Sequence, residues 1–96
     1  MFIGVCKLVL HLPGNQSLKG KRQVLRSVTQ RVRNEFNMAI AEVGDQDRWQ
    51  TAVLGLCCVS NEAQHADEMI ARAVDLIDNN RWGAEITHRE TEIIAI

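Results

Sequence analysis

The side chains with the clearest chemical potential stand close together near the start of the chain. Lys19, Arg22, Arg26 and Arg33 are spaced by three, four and seven residues. On an α-helix, at 100° per residue, the four fall within about 60° of one another and form one basic ridge. Thr29 and Gln30 border the same strip, while Lys21 and Arg31 fall outside it. A row of cations at this spacing suits the phosphates of a nucleic-acid backbone. The plain alternative is a solvated helix face. The surrounding charge favours the first reading. Residues 1–34 carry seven basic groups and no acid, whereas residues 35–96 carry four basic groups and all twelve acids, for a net charge of −1. Such a chain is an electrical dipole that can turn a positive side towards a polyanion. The acidic remainder could instead neutralise the basic segment internally.

Other groupings carry less. Gly14 to Arg22 has the outline of a phosphate loop, but five residues separate Gly14 from Gly20, where a Walker A loop has four, and Arg22 stands where the metal-binding Ser or Thr would be. Nucleotide hydrolysis is not expected. Asp45 and Asp47 could hold a metal, but no third ligand is near. The expectation there is that Asp47 caps a turn and Trp49 packs at the end of a sheet. His11, His65 and His88 lie on separate elements, and no nucleophile–base pair is legible. Cys6, Cys57 and Cys58 are odd in number, form no C-x-x-C, and lie in apolar runs. They are read as small buried side chains. Catalytic residues, metal ligands and cofactor-binding residues are therefore not expected, and the chain is read as a non-enzyme.

The elements that must hold the ridge follow from periodicity. Phe2 to Leu12 is apolar on both phases and reads as an inner strand, followed by turn residues 13–17. Leu25, Val28, Val32 and Phe36 recur at helical spacing, so a helix is predicted from Leu18 to Phe36 with Ser17 as N-cap. A short strand over 38–43, a polar turn, and an apolar strand from Gln50 to Ser60 come next. Ala63, Ala66, Met69, Ile70, Ala73, Val74 and Ile77 mark a second helix over Glu62 to Asn79, broken at 79–83. A more charged strand, Ala84 to Ile96, ends the chain.

The order β-α-β-β-α-β with right-handed crossovers predicts an α+β ferredoxin-like sandwich: a four-stranded antiparallel sheet with two helices on one face. Residues 1–96 are read as a single domain of this kind. With 46% hydrophobic residues and low net charge, disorder is excluded by composition. No stretch reaches the roughly 20 apolar residues of a bilayer span, so no membrane association is expected. No signal peptide is legible, and a cytoplasmic location is expected. The first and third strands, the most apolar, should lie in the middle of the sheet and the others at its edges. The face away from the helices should carry Val5, Val9, Val53 and Val59 with Lys7 and His11. That is apolar enough to predict covering by a second copy, a homodimer. One binder and one enzyme class with this topology are disfavoured. The third strand lacks the aromatics on which RNA-recognition motifs stack bases, and the loop after the first strand lacks the acylphosphatase Arg.

Several blocks carry a family resemblance: Ser17-Leu18-Lys19-x-Lys21-Arg22-x-Val24-Leu25-Arg26-Ser27, Arg31-x-Arg33-x-x-Phe36-Asn37, Ala41-Glu42-Val43, and Asp47-x-Trp49-Gln50-x-Ala52-Val53-Leu54-Gly55. Together they resemble the DUF503, or YlxP-like, family. The resemblance implies a bacterial protein with a ferredoxin-like fold and no established activity. Its genes often neighbour those of translation initiation factor 2 and ribosome-binding factor A. The expectation is an accessory protein that binds structured RNA or the ribosome through Lys19, Arg22, Arg26 and Arg33, with Lys21 contributing at the helix start. The alternative is a protein-interaction or regulatory module that docks a partner through the open sheet face or the acidic second helix.

Overall fold

The computed structural model describes residues 1–79 and 82–96. Six elements follow one another: β1 (Phe2–His11), α1 (Leu18–Glu35), β2 (Ala39–Gly44), β3 (Thr51–Ser60), α2 (Ala63–Ile77) and β4 (Glu85–Ala95). The strands form one antiparallel sheet in the order β2-β3-β1-β4. This is the ferredoxin-like sandwich expected from the sequence, with the two most apolar strands in the middle. Of the expected break after α2, Asn80 and Arg81 lie outside the described residues.

Strand alternation decides which residues enter the core. Cys6, Leu8, Leu10 and Leu12 point to the helical face and are buried, as do Leu54, Leu56 and Cys58 of β3. From above, α1 brings Leu25, Val28 and Val32, and α2 brings Ala66, Ile70, Ala73, Val74 and Ile77. Each fully buried Leu or Ile contributes about 1.5–3 kcal/mol by leaving water, so this layer carries the fold. α1 lies towards β2, and α2 lies over β1, β3 and β4.

The start of α1 is set locally. Ser17 is extended, and its Oγ accepts from the Gly20 amide at 3.0 Å. That satisfies one of the orphan donors of the first turn. The helix ends one residue before the expected Phe36, whose amide closes the last turn on Val32 O.

Two departures come from irregular pairing. The β2–β3 register shifts between Glu42 and Gly44, leaving Val43 as an extra residue. Val43 then lies over Gly55, where any side chain would meet its Cγ1 at 3.1 Å. The same shift sets Gly44 against Val53, which keeps its place on the open face opposite Val9 but is covered there to 8% exposure. The β1–β4 register shifts between Val9 and Leu10.

Candidate nucleic-acid interface

Of the two helices among the described residues, α1 is the one with a basic exposed ridge, from Lys19 in its first turn to Arg33 in its last. Lys19, Arg22 and Arg26 are exposed and make no ion pair among the described residues. Arg22, Leu25, Arg26, Thr29 and Arg33 line one side of a shallow groove of about 350 Å³, and Ala41 and Glu42 of β2 line the other. The groove runs along β2, which is an edge strand. Three of the four ridge cations thus share one cleft, and Lys19 stands one turn further towards the N-terminus of the helix. Arg31, off the ridge, is held by Glu35 at 2.6 Å.

Arg33 has a second task. Its Nη2 donates to Ile40 O at 2.7 Å, satisfying an edge carbonyl of β2. One of the five guanidinium N–H donors is spent there and the rest remain for another acceptor.

Lys21 is not part of this surface. The expectation that it helps at the helix start is corrected by its position: the side chain is completely buried. Its Nζ donates to Asp45 O and Arg48 O at 2.7 Å, to Thr51 O at 3.0 Å and more weakly to Gln46 O at 3.3 Å. Glu42 Oε2 stands 2.9 Å away as an ion-pair partner. Five oxygens therefore surround an ammonium that has only three protons. The turn between β2 and β3 is wrapped around this cation, and no phosphate can reach it. The pairing also neutralises Glu42, the one acid that lines the groove, so the cleft keeps a net positive lining.

The sequence held a signal for this burial. Lys21 precedes Leu25, Val28 and Val32 at steps of four, three and four. That is the apolar stripe, not the ridge.

The turn itself differs from expectation. Asp45 has φ 55°, and the Arg48 amide bonds to Asp45 O, closing the turn through Asp45 rather than through Asp47. Trp49 does not pack at the end of the sheet; its side chain is 54% exposed. The backbone beside it is held instead. Asn15 Nδ2 donates to both Trp49 O and Ser17 O, and Gln50 Nε2 donates to Asn15 O at 3.1 Å.

The cysteines divide. Cys6 and Cys58 are buried, as read from the sequence, and burial pushes the Cys58 thiol above its ordinary value. Cys57 is half-buried on the open face, a correction to the reading of all three as interior. It shares that face with Val5, Lys7, Ala39, Ala41, Gly55, Glu90 and Glu92 around a hollow of about 640 Å³. Glu90 is bonded to the His88 ring at 2.8 Å, which holds its carboxyl below the usual range, with Lys7 adding to the effect. Among the described residues, no three His, Cys, Asp or Glu side chains converge as a metal site, and no helix is long and apolar enough to cross a membrane.

Known proteins match the chain along most of its length. The model of a family described as a protein of unknown function, DUF503, matches residues 3–91. A Bacillus subtilis (strain 168) protein named "Uncharacterized protein YlxP" is 36% identical over 74 residues, which cover 77% of this chain and 78% of that protein. Among solved structures, the "De novo designed protein Foldit4" superposes with a TM-score of 0.57 at 9% identity. The match covers 100% of this chain and 99% of that one, a likeness of fold alone.

Proposed function

The chain belongs to the DUF503 family, whose description names no activity, and from that premise we propose that it is a non-enzymatic accessory protein that binds structured RNA or the ribosome through α1. One observation carries the reading: Arg22, Arg26 and Arg33 line a single cleft beside β2, and the one acid in that cleft is already paired with Lys21. Cations left without acidic partners along one groove attract a polyanion over its whole length, and binding releases the counterions condensed on it. The contact is phosphate-led, so it reads backbone and shape more than base sequence. Lys19, Arg22, Arg26 and Arg33 are the residues that carry it.

Co-sedimentation with purified bacterial 30S and 50S subunits, with salt stepped upward, tests this. Four phosphate contacts predict a log–log salt slope of about −3 to −4. The double reversal R22E/R26E should abolish binding while the chain stays folded. Unchanged affinity in that variant, or no binding of the wild-type chain to either subunit, overturns the proposal.

A second reading is supported by the face opposite the helices. Val43, Val59 and Ile94 are all exposed there, at 56, 61 and 40%. The occupant we propose is a second copy of the chain. Lys7 and Glu90, opposite one another on β1 and β4, offset each other, and Glu92 leaves one net negative charge at the hollow, so two identical faces meet with little repulsion. This surface meets the cleft only along β2, where Ala41 lines both, and the ridge residues themselves lie on α1.

A further inference from the structure

We propose that Trp49 is a stacking platform for an unpaired RNA base, so that the ligand of the basic ridge carries a single-stranded segment. This rests on the reading of α1 as a phosphate-binding surface. Trp49 is the one exposed aromatic side chain among the described residues. An indole left in water at 54% exposure contributes little to the fold, yet its main chain is held unusually well. The single amide of Asn15 ties Trp49 O to Ser17 O, the N-cap of α1. On either side of it, Lys21 grips the carbonyls of Arg48 and Thr51, and the Gln50 carbonyl accepts from the Leu12 amide at 2.9 Å. The ring is therefore free while its base is rigid, and it is fixed beside the helix turn that presents Lys19 and Arg22.

Its neighbours decide between kinds of ligand. Asp45, Gln46, Asp47, Arg48 and Gln50 surround it in the chain and are all exposed and polar. A protein partner would need apolar groups around the indole to exclude water. A nucleobase needs only one open ring face, and the charge of its phosphate is met by the cations of α1. Among the described residues the sheet's one aromatic is Phe2, which is half-buried, and this turn carries the exposed ring on which a base can stack.

The test compares a labelled oligouridylate with a blunt RNA duplex by fluorescence anisotropy, for the wild-type chain, W49L, W49F and R22E/R26E. Thermal melts confirm that each variant is folded. W49L should weaken oligouridylate binding about tenfold and leave the duplex unchanged. W49F, which keeps a ring, should retain most of the affinity. R22E/R26E should weaken both ligands. Oligouridylate should also quench the tryptophan emission of the wild-type chain but not that of W49F, whose remaining indole is Trp82. If W49L binds oligouridylate as the wild type does while R22E/R26E loses both ligands, the stacking proposal is overturned and the ridge stands. Equal weakening of both ligands by W49L overturns it too, because the indole then only positions the ridge. No binding of either ligand by the wild-type chain overturns the ridge reading and this proposal with it.

Discussion

At the scale of single residues, Lys21 shows how a charge can serve as a core residue. Removing the ammonium takes a charged donor from four carbonyls and the counter-charge from Glu42, while Asp45 O keeps only the Arg48 amide. K21M, which keeps the length of the side chain, should therefore cost about 3–5 kcal/mol in urea unfolding. E42Q should cost much less, because the four carbonyls still hold the ammonium. A K21M chain as stable as the wild type would mean that the turn between β2 and β3 closes without its cation. Glu90 offers a gentler case. His88 and Lys7 lower its folded pKa, so the stabilisation is present above the ordinary carboxylate value and is lost as the pH falls through the lowered one. An NMR titration should place the Glu90 carboxyl below free Glu in the wild-type chain and closer to the ordinary value in H88Q. The same position in both would remove His88 as the cause. Neither role could be read from residue type alone. A lysine among other basic residues looks like surface until its alignment with Leu25, Val28 and Val32 is weighed above its charge.

At the scale of elements, α1 is built against its own stability. It carries no acid in its first turn, where negative charge would favour the helix dipole, and Arg22 and Arg26 repel one another at i,i+4. R22E turns that repulsion into an i,i+4 attraction to Arg26. It should raise stability by about 0.3–1 kcal/mol in thermal unfolding while weakening RNA binding. A helix tuned only for folding would carry such an acid already, so a loss of stability in R22E would remove this sign of functional selection. The helices and strands themselves were legible in advance, because Leu8, Leu10 and Leu54 follow period two and Val28, Val32, Ile70 and Ile77 follow the helical period. What stayed hidden depends on contacts between distant segments. The extra residue at Val43 exists only in the register of β2 on β3, and it sets Gly44 against Val53, which is covered on the open face. Trp49 was expected to pack at the end of the sheet, but its place follows from Asn15, thirty-four residues earlier in the chain. The ridge was legible because it lies on one helix and needs only the spacing of its residues.

At the scale of the whole molecule, two surfaces lie on different sides of one sheet: a basic cleft bounded by α1 and the β2 edge, and an apolar face away from both helices. Salt separates them, since phosphate contacts weaken steeply as ionic strength rises and apolar contacts do not. Sedimentation at micromolar concentration should show a dimer that persists in high salt and dissociates in V59D, with the RNA affinity of each protomer's ridge retained. A wild-type monomer under those conditions would leave the valine face uncovered and end the dimer reading. The caged ammonium also makes the molecule a reporter on its own motions. Of the three lysines, Lys7 and Lys19 are open to solvent and Lys21 is sealed. An amine-reactive reagent will mark the first two at once and Lys21 only when the segment around it opens. If that mark accumulates at the rate of global unfolding, the Trp49 turn and the body of the protein form one cooperative unit. If it accumulates faster, the turn has a local opening of its own, and suppression of that opening by bound RNA becomes a timed readout of occupancy at this end of α1.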